Sequence, residues 1–199
     1  MNYEKTMKKS KLAAAYEELE PQDRRAALAE YRTLCSELDL SDKMLTSHLL
    51  LAILPAAALY RVLARRAGGK DAALSVIRDA ALYSARPMAR MFQALGRLPF
   101  GFPLLRVITP AAMKSGFGEA GWRIEWDKST RDKIAFTAHS CFYDRVLRQY
   151  GMPELTPVFC EYDDAVYGAI PHIRWGRTKT IGRGDAICDF CFTNGRRSQ

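Results

Sequence analysis

From Met44 to Tyr60 no residue carries a formal charge, a run of 17 positions. Leu and Ala dominate it, and these are strong helix formers. A helix that is apolar all round is either a buried core helix or a membrane segment. Seventeen residues lie at the lower limit of a span. Thr46, Ser47, His48 and a mid-helix Pro55 favour a core helix over a membrane helix. Association with a membrane or a partner through this helix is the third-ranked functional class.

The chain has 199 residues, of which 48% are hydrophobic and 26% charged. That is enough chain to bury a core without disulfides, and its composition excludes disorder and low complexity. No internal repeat or Gly/Ser linker interrupts it. Ser10 to Glu18 and Asp23 to Leu38 read as helices separated by Pro21. Leu40-Ser41-Asp42 supplies an N-cap for the apolar helix, which runs to Arg66 with a bend at Pro55 and ends at Gly68-Gly69. Asp71 opens a further helix that Pro87 bends or ends. Gly96 to Pro110, with three prolines, reads as a crossing segment whose Phe100 and Phe102 pack on the helices.

At Trp122 the pattern changes. Trp122, Ile124 and Trp126 alternate with Arg123 and Glu125, the period of a strand. Ile134 to His139 reads as a second strand after a polar turn over Asp127 to Asp132. Cys141 to Tyr150 and Glu154 to Gly168 are helical, the latter starting in earnest at Thr156-Pro157. Ile173 to Thr180 and Ala186 to Phe192 complete a ββααββ order. The expected class is α+β, a helical N-terminal half packed on a small antiparallel sheet. Residues 1–40 form a helical extension and 41–199 one domain, helical over 41–118 and sheet-bearing over 119–199.

Lys and Arg total 30 against 22 Asp and Glu, a net charge of +8. The basic residues are scattered along helices, and Arg61, Arg65, Arg66 and Lys70 gather where the apolar helix ends and complement its dipole. No nucleic-acid motif accompanies the charge, so no nucleic-acid partner is expected. The five cysteines are Cys35, Cys141, Cys160, Cys188 and Cys191. Met1 to Lys11 is polar, with no apolar signal core after it, so a cytoplasmic, reducing location is expected. Thiols there act as metal ligands, as nucleophiles or as packing.

Cys141 follows the second strand, Cys160 and Asp163 share one face of a helix, and Cys188 lies in the last strand. Thiolates with a carboxylate suit zinc or iron. The same set can hold one activated thiol. Their separations, 19 and 28 residues between successive cysteines, match no zinc-finger signature. Cys188 and Cys191 form a CxxC, but in a strand they face opposite sides, so Cys191 falls outside the candidate set. His139, two residues before Cys141, is a candidate acid or base, whereas His48 reads as a core histidine. Arg174 and Arg177, on opposite faces of the third strand, are candidates for a substrate carboxylate.

The runs Cys141-Phe-Tyr143-Asp144, Gly151-Met-Pro153-Glu154-Leu155 and Phe159-Cys160-Glu-Tyr-Asp163 resemble the core of the L-2-amino-thiazoline-4-carboxylic acid hydrolase family. Arg177-Thr178-Lys-Thr180, Gly184, Cys188-Asp189-Phe190 and the helix Met44 to Ala67 resemble it too. The resemblance covers roughly residues 40–193 and leaves residues 1–40 as an addition. It implies a hydrolase that opens a carboxylate-bearing cyclic amidine. Cys141, Cys160, Asp163 and Cys188 fall at the family's polar positions, as metal ligands or with Cys141 or Cys160 as nucleophile. His139 or Asp163 would assist, and Tyr143, Arg174 or Arg177 would bind substrate. Cys191 departs from the pattern. A fainter similarity to the vinyl-reductase-like domains of bacterial sensors supplies the alternative, a non-catalytic small-molecule or metal-binding module. The implied partner is a carboxylate-bearing small molecule, and a homo-oligomer is allowed.

Overall fold

The computed structural model describes residues 1–38, 41–66, 68–128 and 130–196. The expected boundary and cap residue at position 40, the helix end at Ala67 and the turn residue Ser129 lie outside the described residues. The elements fall into two compact units, Met1–Ser84 with Arg145–Phe159, and Ala85–Asp144 with Cys160–Gln199.

The first unit begins with α1 (Tyr3–Met7), α2 (Ala13–Glu17) and α3 (Pro21–Ser36). Pro21 is the first residue of α3, where a missing N–H costs nothing. Asp42 caps α4 (Lys43–His48), accepting from the N–H groups of Met44 and Leu45 at 2.9 and 3.0 Å. A π-helical segment (Leu49–Ile53) follows, then α5 (Leu54–Leu63).

The expected bend at Pro55 takes the form of this π segment, and hydrogen-bond accounting explains it. The N–H of Leu54 reaches back five residues to the Leu49 carbonyl. The Leu50 carbonyl then faces position 55, and proline has no N–H to give. Two groups from elsewhere satisfy the freed carbonyls: Tyr31 Oη donates to Leu50 O at 2.9 Å, and Lys11 N donates to Leu51 O at 2.8 Å. The extra residue per turn thus becomes a docking point for the N-terminal segment.

Lys43–Leu63 is long and apolar enough to cross a membrane by length and composition, and 61% of its most apolar window is buried within the fold. Ala56, Ala57, Ala58 and Leu59 are fully buried, as are Ala27, Tyr31 and Leu34 of α3. The cations at the end of α5 are matched by carboxylates. Arg61 and Arg65 both reach Glu30, Arg66 pairs with Asp23, and Lys70 with Glu154. Gly68 and Gly69 take φ of +99° and +60°, which side chains disfavour.

Helix α6 (Gly69–Arg97), whose residues from Ala85 on belong to the second unit, continues past Pro87, so that proline does not end it. Pro87 stands on an exposed position, where a displaced carbonyl can be hydrated. The expected crossing segment is likewise a helix, α7 (Gly101–Gly116). Pro103 lies in its first turn, where N–H groups have no intrahelical acceptor anyway. Phe102 is buried, but Phe100 is 57% exposed, against the expectation that both pack. Gly96 has no room for a side chain, because a Cβ there would collide with the Pro171 carbonyl.

The sheet contains β1 (Ile124–Trp126), β2 (Lys133–Ala138), β3 (Ile173–Gly176) and β4 (Cys188–Asn194), ordered β1-β2-β4-β3 and antiparallel throughout. Between β2 and β3 run α8 (Phe142–Gln149), a 3-10 turn at Pro153–Leu155 and α9 (Thr156–Tyr167). Ile134, Ile173 and Phe192 on one face pack with Phe102, Leu105 and Ile170. Phe136 stacks on Phe190 at 4.7 Å along the same face.

The third strand stops at Gly176 rather than Thr180. Asp189 explains this: its carboxylate accepts from Thr178 N, Thr178 Oγ1 and Lys179 N at 2.9, 2.6 and 2.6 Å. Those groups are drawn away from a strand ladder into a loop. Burial works to raise the Asp189 pKa, but these hydrogen bonds outweigh it and hold the carboxyl low.

Candidate active site

Register sets up the site. Ala138, the last residue of β2, pairs with Cys188, the first of β4. Cys141, three residues beyond Ala138, and Cys188 therefore occupy the same end of the sheet. Helix α9 carries Cys160, Asp163 and Asp164. Its Tyr167 packs on Trp175 and Phe192, and Trp175 Nε1 donates to Asp164 at 3.0 Å. These contacts lay the helix on the sheet face that bears Phe190, Phe192 and Cys188.

Arg177, the first residue past β3, ties the pieces together. Its side chain is 2% exposed, unlike a solvated cross-strand charge. Nη1 lies 3.3 Å from Asp163 Oδ2, and Nη2 lies 2.7 Å from Asp164 Oδ1. Nη2 also donates to the Cys160 carbonyl at 2.6 Å. The guanidinium lies 5.6 Å from the Trp175 ring centre and 5.7 Å from that of Phe190. A buried cation persists because two carboxylates, a carbonyl and two aromatic faces replace its water. Arg174, one residue out of phase with Trp175, is exposed on the other face.

The thiols are held protonated. Burial pushes Cys141 up to about 12; an Asp144 backbone hydrogen bond opposes this, while Cys188 and Cys160 add to it. Burial pushes Cys160 up to about 11, with Arg177 pulling it down and Asp163 pushing it up. Cys188 is raised by burial, against a hydrogen bond from Ile181 N to its Sγ at 3.2 Å. Tyr143 is buried and its pKa raised, first by burial and then by the charges of Asp163 and Cys141. At neutral pH these groups are neutral, so no thiolate is ready for attack. Asp163 retains 37% side-chain exposure and is open to solvent.

The remaining candidates lie differently. His139 Nε2 pairs with Glu125 Oε2 of β1 at 2.9 Å, while the groups acting most on Cys141 are Asp144, Cys188, Cys160 and Tyr143. Cys191 pairs with Ala135 and Gly176, and its electrostatic neighbours are Lys133, Asp127 and Asp189. Among the described residues no three His, Cys, Asp or Glu side chains converge as ligands of one ion. The set of Cys141, Cys160, Asp163 and Cys188 does not fit a zinc or iron centre on that geometry.

Three residues were missed by sequence reasoning. Asp164 makes the shorter pair with Arg177, and the Asp163-Asp164 doublet was its signal. Asp189 anchors the loop that follows Arg177. Thr180 is 2% exposed, and its Oγ1 has no partner at hydrogen-bonding geometry among the described residues, although the hydroxyl is close enough to Cys160 to favour its thiolate. Nothing in the spacing of a threonine announces that position.

No curated protein and no solved structure matches the chain. The family model described as L-2-amino-thiazoline-4-carboxylic acid hydrolase matches residues 46–192, which takes in α5, the whole sheet through Phe192 and every residue of the Arg177 network. The match spans well over half of the sequence, and the chain belongs to the L-2-amino-thiazoline-4-carboxylic acid hydrolase family.

Proposed function

We propose that this protein hydrolyses a carboxylate-bearing cyclic amidine of the 2-amino-thiazoline-4-carboxylate type, with Asp163 as general base. The observation that carries this reading is a solvent-reachable carboxylate, Asp163, fixed by a buried arginine that also bonds the Cys160 carbonyl. Water adds to the ring carbon between nitrogen and sulfur, and its proton passes to Asp163. The tetrahedral carbon collapses, one ring bond from that carbon breaks, and Asp163 returns the proton to the departing sulfur or nitrogen. Arg177 is a positioning residue: its N–H groups fix Asp163. Tyr143 and the neutral thiols of Cys141, Cys160 and Cys188 would line the bound ring. Their raised pKa values argue against a resting thiolate nucleophile.

The test is incubation of the full chain with 2-amino-thiazoline-4-carboxylate, followed by chromatography and mass measurement. Expected are a product heavier by one water and a loss of about 10²- to 10⁴-fold in Asp163→Asn. Cys160→Ser keeps most of the activity if water attacks, and loses it if the thiol does. The second reading, a non-catalytic binding module on the same fold, is favoured by the protonated thiols. Binding of such rings without turnover would establish it and sink the hydrolase reading for this class.

A further inference from the structure

Helix α7 is apolar on two sides. Phe102, Leu105 and Thr109 face the core. Phe100, Leu104, Val107 and Ile108, spaced four, three and one residues apart, form a second stripe that stands in solvent. Val107 is 70% exposed, far beyond what a scattered surface residue requires. Met88, Met91 and Leu98 of the preceding helix end and turn are exposed as well. An apolar stripe of this extent marks an interaction surface.

Charge selects the occupant. Residues 80–118 contain Arg86, Arg90, Arg97, Arg106 and Lys114 and no Asp or Glu. All five cations stand at exposed positions. A second copy of the same face would bring like charges together. Exposed Met, Phe, Leu and Val in a stretch whose only charged residues are cations match the chemistry of a helix lying in a bilayer interface. The membrane-length helix, Lys43–Leu63, is a separate element.

We propose that α7, with the end of α6, is a peripheral docking surface for an anionic lipid bilayer. Phe100, Leu104, Val107 and Ile108 enter the headgroup–acyl boundary, and Arg97, Arg106 and Lys114 meet the lipid phosphates.

The test is co-sedimentation of the full chain with vesicles of equimolar phosphatidylglycerol and phosphatidylcholine, beside vesicles of phosphatidylcholine alone. Binding is expected to the anionic vesicles, weakening as salt rises. It should fall about tenfold or more in Phe100→Glu/Val107→Glu, and also in Arg97→Gln/Arg106→Gln/Lys114→Gln. Circular dichroism checks that the variants fold, and Val107→Ser replaces the double change if that chain does not. Absence of pelleting, equal binding to both vesicle types, or wild-type binding by folded variants would overturn the proposal. So would a solution dimer that Phe100→Glu/Val107→Glu dissociates, because the face would then join protein to protein.

Discussion

Cys141 and Cys160 prefer the protonated form in the folded chain far more than an ordinary thiol, whose pKa is 9.0. A raised folded-state pKa contributes stability that is whole below pH 9 and is lost as the pH climbs toward 11 to 12. The slope is up to about 1.4 kcal/mol per pH unit per thiol. Thermal unfolding followed from pH 8 upward should show a steeper fall for wild type than for Cys160→Ala, relative to each protein's own value at pH 8. Equal slopes would rule out Cys160 as a source. Much of this site was legible in residue types: Cys141, Cys160, Asp163 and Arg177 stood out. What spacing could not supply was the sense of the thiol shifts. Burial, not charge, dominates them, and burial is a property of the packed fold.

Proline explains both the successes and the failures among the elements. Pro55 read as a bend, Pro87 as a bend or an end, and Pro103 and Pro110 as part of a crossing segment, yet of these four only Pro55 coincides with a change of helix type. The sequence displays the missing N–H but not which carbonyl replaces it or where. At Pro55 the answer lies in a distant tyrosine, so Tyr31→Phe should leave the half-buried Leu50 carbonyl without its donor and cost about 1 kcal/mol. Chemical denaturation measures this. In a Pro55→Ala background the same change should cost less, because residue 55 then carries an N–H that can serve that carbonyl. Equal costs in both backgrounds would break the link between the proline and the π segment. Of the four strands read from the sequence, β2 and β4 lie at the centre of the sheet. The third strand was overread because Asp189, ten residues later in the chain, competes for its backbone.

At the scale of the whole molecule, the N-terminal helices are structural members of the first unit rather than an appendage. Tyr31 and Leu34 are fully buried there, and Glu30 and Asp23 answer the cations that follow α5. Removing residues 1–38 exposes the alanine-rich surface of α5 to water. The shortened chain should aggregate or lose its cooperative unfolding transition. A cooperative transition at the full-length midpoint would show instead that these helices are dispensable. The α+β class and the four strands were readable from period alone, whereas strand order was not, since alternation carries no information about neighbours.

That order has a consequence for how the protein is made. β4 lies between β2 and β3, yet a ribosome releases it after both. Until it emerges, the nascent chain holds two strands with bare facing edges and a core lacking Phe190 and Phe192. The Arg177 loop likewise waits for Asp189. The sheet is therefore a late, all-or-none event in biosynthesis, and the helices that precede it must keep the growing chain soluble in the meantime.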